Sequence, residues 1–181
     1  MSTEQQPSSA LGVVLVGVAA GASSTIERFT ARGYAVFLAD VKESADVERG
    51  LEAVRSAMAA LGAGKVAVVG YGFGGRYAFL AVTRLGADAA VAFHGAGIGR
   101  HLDEAPRAKK PLTFHFGDDD ERVPFEEVRA IKGALEGFGT TEIYRYPGAR
   151  HGFALLDDPN YDEAAALAAE RRVFAVLDRL G

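Results

Sequence analysis

The 181-residue chain has no cysteine, no tryptophan and only two methionines. Without cysteine there is no disulfide, no thiolate metal site and no cysteine nucleophile. A basic excess is missing too: 20 Lys and Arg stand against 24 Asp and Glu, a net charge of −4. Nucleic acid asks for a basic face, so this balance argues against it. The one basic run, Arg107-Ala-Lys-Lys110, reads as a solvated turn before Pro111. The longest apolar run, Leu11 to Ala22, carries glycines and is too short to cross a bilayer. Its polar lead-in, Met1 to Ser9, lacks the basic flank of a secretory signal. A cytoplasmic protein is the expectation.

What is present is alternation. After a loose polar tail (residues 1–10), strand-like runs appear at 12–18, 35–40, 65–70, 89–94, 112–117 and 141–147. Most are short and continuously apolar, as parallel strands buried on both faces should be. The last alternates, with Arg145 between two tyrosines, which suits an edge. Between the runs, apolar residues recur at helical spacing. Val47, Leu51, Val54, Met58 and Leu61 make one stripe, and Val128, Ile131, Leu135 and Phe138 another. A third stripe is Tyr77, Leu80, Ala81 and Leu85; a final helix, capped by Asn160 or Asp162, carries Val173, Phe174, Leu177 and Leu180. Strands alternating with helices predict one α/β domain over 11–181, a three-layer sandwich around a mostly or wholly parallel sheet of about six strands. Function in such a sheet lies at the carboxyl ends of the strands.

One of those ends reads Val-Val-Gly-Tyr-Gly-Phe-Gly-Gly-Arg over 68–76. Gly70-x-Gly72-x-x-Gly75 matches the spacing of a dinucleotide loop, whose glycines let backbone amides approach a pyrophosphate. That motif wants an acid at the end of the next strand, and the strand over 89–94 ends in His94. The segment from Val14 to Asp40 also resembles the opening of a short-chain dehydrogenase, although no tyrosine has a lysine four residues on. These features keep a nicotinamide-dependent oxidoreductase as an alternative.

The same nine residues fit the G-x-nucleophile-x-G elbow of a hydrolase, with glycine at the nucleophile position. Downstream, Gly117-x-x-Asp120-x-x-Val123-Pro124 places an acid after one strand, and Gly148-Ala-Arg-His151-Gly152 places a histidine after the last. The order nucleophile, acid, histidine is that of an α/β-hydrolase triad. Ser23 and Ser24 read as helix-capping residues and Asp40 as a turn residue; no spacing suggests a metal site.

From about Leu11 onward the chain resembles the dienelactone hydrolases, or carboxymethylenebutenolidases. The resemblance is carried by GYGFGG, AFHGAG, FHFGDDDERVPFEEV, YPGARHGFA and AAALAAERRVFAVL. It implies an α/β-hydrolase fold with its antiparallel N-terminal strands trimmed. His151 would be the base and Asp120 its orienter, and Gly72 would occupy the nucleophile position. The Phe73 N–H and an amide from Val18–Ala19 would form the oxyanion hole, with Tyr71 at the substrate; His94, by its place at a strand end beside the elbow, would be either a substrate contact or a histidine bonded to backbone. The departures are equally specific. The family nucleophile is missing, Val14 to Gly17 holds no glutamate, and Leu155 stands where the family's carboxylate-binding arginine would fall. Glycine offers no oxygen or sulfur to attack a carbonyl, so covalent turnover is not expected. The remaining expectations are general-base chemistry on a small lactone, ester or other carbonyl compound, or a non-catalytic ligand-binding module. Neither requires a cofactor, a nucleic acid or a membrane.

Overall fold

The computed structural model describes residues 11–19 and 23–181; the tail expected over residues 1–10 lies outside the described residues. Six strands are found among them: β1 (Leu11–Val16), β2 (Ala35–Ala39), β3 (Lys65–Tyr71), β4 (Ala89–Phe93), β5 (Leu112–Gly117) and β6 (Thr141–Tyr146). They form one sheet in the order β2-β1-β3-β4-β5-β6, and every neighbouring pair is parallel. The helices are α1 (Ser23–Thr30), α2 (Val47–Leu61), α3 (Gly74–Leu80), α4 (Phe125–Leu135) and α5 (Glu163–Asp178). A π-helical turn, Ala81–Leu85, extends α3, and a 3₁₀ stretch, Ile98–Arg107, fills the β4–β5 connection.

The two-residue period of the strands sorts their side chains into two cores. Val14, Val16, Val66, Val68, Phe114 and Phe116 pack under α2, α3 and α4, against Leu51, Val54, Tyr77, Phe79, Val128 and Ile131. Val13, Leu15, Val69, Val91 and Phe93 pack on the opposite face, against Phe29 of α1 and Val173, Phe174 and Leu177 of α5. Both faces are therefore dry, which is why the central strands read as unbroken apolar runs. This is the three-layer α/β sandwich with a parallel sheet.

Element ends follow local chemistry. β1 stops at Val16, before the expected end, because Gly17 turns the backbone to φ +78°. α4 stops at Leu135, and Phe138, expected on its apolar stripe, lies beyond the helix and is 39% exposed. Glu136 is already extended there and Gly137 has φ +83°, so the helical period ends one turn early. Of the two proposed caps of α5, Asp162 is the one used: its side chain accepts the Ala165 N–H at 3.0 Å. Asp162→Ala should cost about 1 kcal/mol, read as a fall of about 2–4 °C in Tm.

Candidate active site

β3 runs to Tyr71, the chain turns at Gly72, and α3 starts at Gly74. Gly72 has φ +53°, a conformation that strains any residue with a side chain. The neighbouring glycines serve close approach of backbone to backbone. A Cβ on Gly70 would lie 2.1 Å from Gly74 O, one on Gly74 2.3 Å from Val16 O, and one on Gly75 2.5 Å from Gly95 Cα. At these three positions the missing side chain makes room for the chain's own backbone. The glycines make a tight elbow between β1, β3 and β4.

Two loops meet the turn. The loop after β5 carries Asp120, which is 5% exposed. Its Oδ1 accepts the Arg122 and Val123 N–H groups at 2.8 and 3.2 Å, which hold the carboxylate in place. The other two aspartates of this loop go elsewhere: Asp118 pairs with Arg145 at 2.7 Å, and Asp119 is exposed. The loop after β6 carries His151, whose Nδ1–H donates to Asp120 at 2.9 Å (Oδ2) and 3.1 Å (Oδ1). That bond leaves the lone pair of the neutral ring on Nε2. A Cβ built on Gly72 would stand 3.2 Å from this Nε2. Asp120, His151 and the turn at Gly72 thus converge.

His94 ends β4 beside them and is 1% exposed. Its Nδ1 accepts the Gly72 N–H at 3.1 Å, a hydrogen that Phe93 O shares at 3.0 Å. The proton of the neutral ring is therefore on Nε2, which is buried and unpartnered among the described residues. Its ring stands edge-on to His151, 4.8 Å between centroids. Burial, and secondarily His151, pushes the His94 imidazole down to about 3. His94 also has φ +40°, alone among the described non-glycine residues in this region. The backbone is strained in order to hold this ring against the elbow.

The other expected site residues are placed as follows. Phe73 precedes α3, and its N–H finds no acceptor among the described residues. Val18 and Ala19 follow β1, half-buried and exposed respectively. Tyr71 is 4% exposed, stacked on Phe93 and 6.1 Å from the His94 ring. Ser24 Oγ is 3.5 Å from Asp157 and Asp40 is exposed, so neither approaches the elbow. Beside Phe73 opens a cleft of about 760 Å³ that Arg76, Arg100, Arg122, Glu43 and Glu127 also line. Sequence reasoning missed His115, which is fully buried in β5 behind the site. Arg172 of α5 donates to the Tyr146 hydroxyl at 2.9 Å, and that hydroxyl donates to His115 Nδ1 at 2.8 Å. A histidine inside the apolar run LTFHFG was the available signal.

Residues 41–181 match the family model described as the dienelactone hydrolase family. The chain belongs to the dienelactone hydrolase family. It is similar to the carboxymethylenebutenolidase of Pseudomonas putida, with 40% identity over 114 residues, 61% of this chain and 47% of that protein. Carboxymethylenebutenolidase 1 of Cupriavidus pinatubonensis is 37% identical over 120 residues, 65% of this chain and 50% of its own. This family member thus spans about half the length of the curated relatives it matches. A solved thermophilic esterase from Thermogutta terrifontis superposes with a TM-score of 0.72 at 20% identity. That likeness covers 98% of this chain and 86% of the esterase, and it shows a shared fold. Among the described residues no helix is long and apolar enough to cross a membrane.

Proposed function

We propose that this dienelactone hydrolase family member acts on a small lactone, ester or other carbonyl compound by general-base catalysis without a covalent intermediate. The observation that carries this reading is the 3.2 Å between His151 Nε2 and the point where a Cβ would stand on Gly72. With no side chain there, the corner beside Nε2 would take a water molecule or an acidic C–H or O–H of the substrate. For hydrolysis, Nε2 takes a proton from water as its oxygen attacks the carbonyl carbon. The carbonyl π pair moves onto its oxygen, where the Phe73 N–H and an amide of Val18–Ala19 stabilise the charge. The tetrahedral adduct then re-forms the C=O and expels the alkoxide, which takes the proton back from the imidazolium. Asp120 fixes the tautomer and supports the cation.

Tyr71 and His94 would shape the substrate side of the corner. His94 enters as a neutral ring, since its Nδ1 is committed to the Gly72 N–H. The partner is then a small molecule.

His151→Ala should lower turnover of aryl esters by about 10²–10⁴-fold while leaving binding nearly unchanged. Steady-state kinetics with p-nitrophenyl acetate and an aryl lactone provide the check. A second reading, a ligand-binding module without catalysis, is favoured by the absent nucleophile. It predicts equal, background-level rates in both proteins, and that result would sink the general-base assignment.

A further inference from the structure

Among the described residues β6 is the last strand of the sheet, bonded on one side only. Its register with β5 pairs Leu112 with Thr141 and Gly117 with Tyr146. Leu112 N–H donates to Thr140 O and Asp118 N–H to Tyr146 O, so the even-numbered residues of β6 turn their backbone groups toward β5. The N–H and C=O groups of Thr141, Ile143 and Arg145 therefore face the open edge. No acceptor or donor meets them among the described residues.

The side chains of these same three residues, on the α4 side of the sheet, line a groove of about 730 Å³ between β6 and α4. Its floor is apolar, made by Val128, Leu135 and Ile143, and Phe125, 49% exposed, lies beside it. Three cations line it, Arg129, Lys132 and Arg145; Asp118 offsets Arg145, and Arg129 and Lys132 stand against one carboxylate, Glu136. This local excess of positive charge sits on a chain of net charge −4. Arg145 is fixed by Asp118 at 2.7 Å and stacks its guanidinium 4.7 Å from the Phe125 ring centre.

We propose that this groove takes an extended acidic segment of a partner protein, which adds to the sheet as a strand beside β6. Backbone pairing to Thr141, Ile143 and Arg145 supplies affinity, as in other strand-addition complexes. Every second side chain of the segment faces the groove, and along that face apolar side chains reach the floor while carboxylates meet Arg129 and Lys132; Arg145 is already paired with Asp118. The charge selects the occupant: a second copy would bring its own Arg129 and Lys132 to the same edge, like against like. An acidic segment neutralises them. The proposal stands apart from the chemistry at Gly72, and neither depends on the other.

The probe is a fluorescein-labelled synthetic peptide repeating Val-Thr-Glu-Thr, which brings Val and Glu in turn to one face of a strand, with a Val-Thr-Gln-Thr repeat as control. Saturable anisotropy is expected with the first and binding about tenfold weaker or worse with the second. Amide shifts in the NMR spectrum should fall on β6 and α4 and spare the His151 loop. Arg129→Glu with Lys132→Glu should weaken binding about tenfold or more, both side chains being at the surface. Ile143→Pro removes an edge N–H that bonds nothing in the sheet, so it should abolish binding with unchanged circular dichroism. Equal affinity for both peptides, binding unaffected by the two charge reversals, or no saturation at millimolar peptide would each overturn the proposal. So would a concentration-dependent dimer, seen by sedimentation and lost in Ile143→Pro, which would give the edge to a second copy.

Discussion

Gly72→Ser is expected to release one equivalent of p-nitrophenol from p-nitrophenyl acetate in a burst, then to turn over slowly. The serine Cβ would stand 3.2 Å from His151 Nε2, so Oγ comes within hydrogen-bond reach once the ring gives by a few tenths of an ångström. Asp120 already orients that ring through Nδ1, and the Phe73 N–H stands one residue on from the new alkoxide. On the proposed reading the missing partner is the nucleophile, and members of such triads act as a unit. Restoring it should raise kcat/KM for activated esters on the order of 10²-fold or more over the glycine chain. The gain carries a cost in stability. A side chain at φ +53° is strained by about 1–2 kcal/mol, so Tm should fall by roughly 2–8 °C. The double variant Gly72→Ser, His151→Ala must lose the burst. A folded single variant with no burst would mean that this corner is not a nucleophile position at all.

Much of this geometry was legible in the sequence, for reasons specific to each residue. The strands announce themselves because both faces are buried, which forces continuous apolar runs such as those of β3 and β4. β6 stands out because Arg145 on its open edge breaks the run. Asp120 could be separated from Asp118 and Asp119 only through the family resemblance; the hydrogen bonds to Arg122 and Val123 N–H give the physical reason. Other features depend on distance in space, which sequence does not carry. The commitment of His94 Nδ1 to the Gly72 amide is one, since 22 residues separate them. The Arg172–Tyr146–His115 chain joins three elements, and nothing local in α5 marks Arg172 for it. The early end of α4 was also hidden, because Phe138 keeps the helical period that Gly137 has already ended.

His94 and His115 make the fold sensitive to acid, and the sign is fixed by their environments. Burial pushes both imidazoles down to about 3, aided by His151 at the first and Arg172 at the second. In the unfolded chain each titrates near 6.5. Below that value the unfolded state binds protons that the folded state refuses, so stability is complete above pH 6.5 and is lost as pH falls toward 3. At pH 5 each histidine should cost roughly 2 kcal/mol, or about 4 together, against a typical total of about 5–15 kcal/mol. The hydrogen bonds say why the folded state refuses the proton. Protonating His94 would put an N–H on Nδ1 against the Gly72 N–H, and protonating His115 would oppose the donating Tyr146 hydroxyl. Urea unfolding between pH 4 and 6 measures the slope. His115→Phe keeps the stack on Phe93, 5.0 Å between ring centres, but removes one titrating group. Its stability should depend on pH less steeply, by about 1.4 kcal/mol per unit between pH 4 and 6. A slope equal to that of the native chain would show that His115 takes up its proton while folded, and that the interior behind the elbow is wetter than its burial implies.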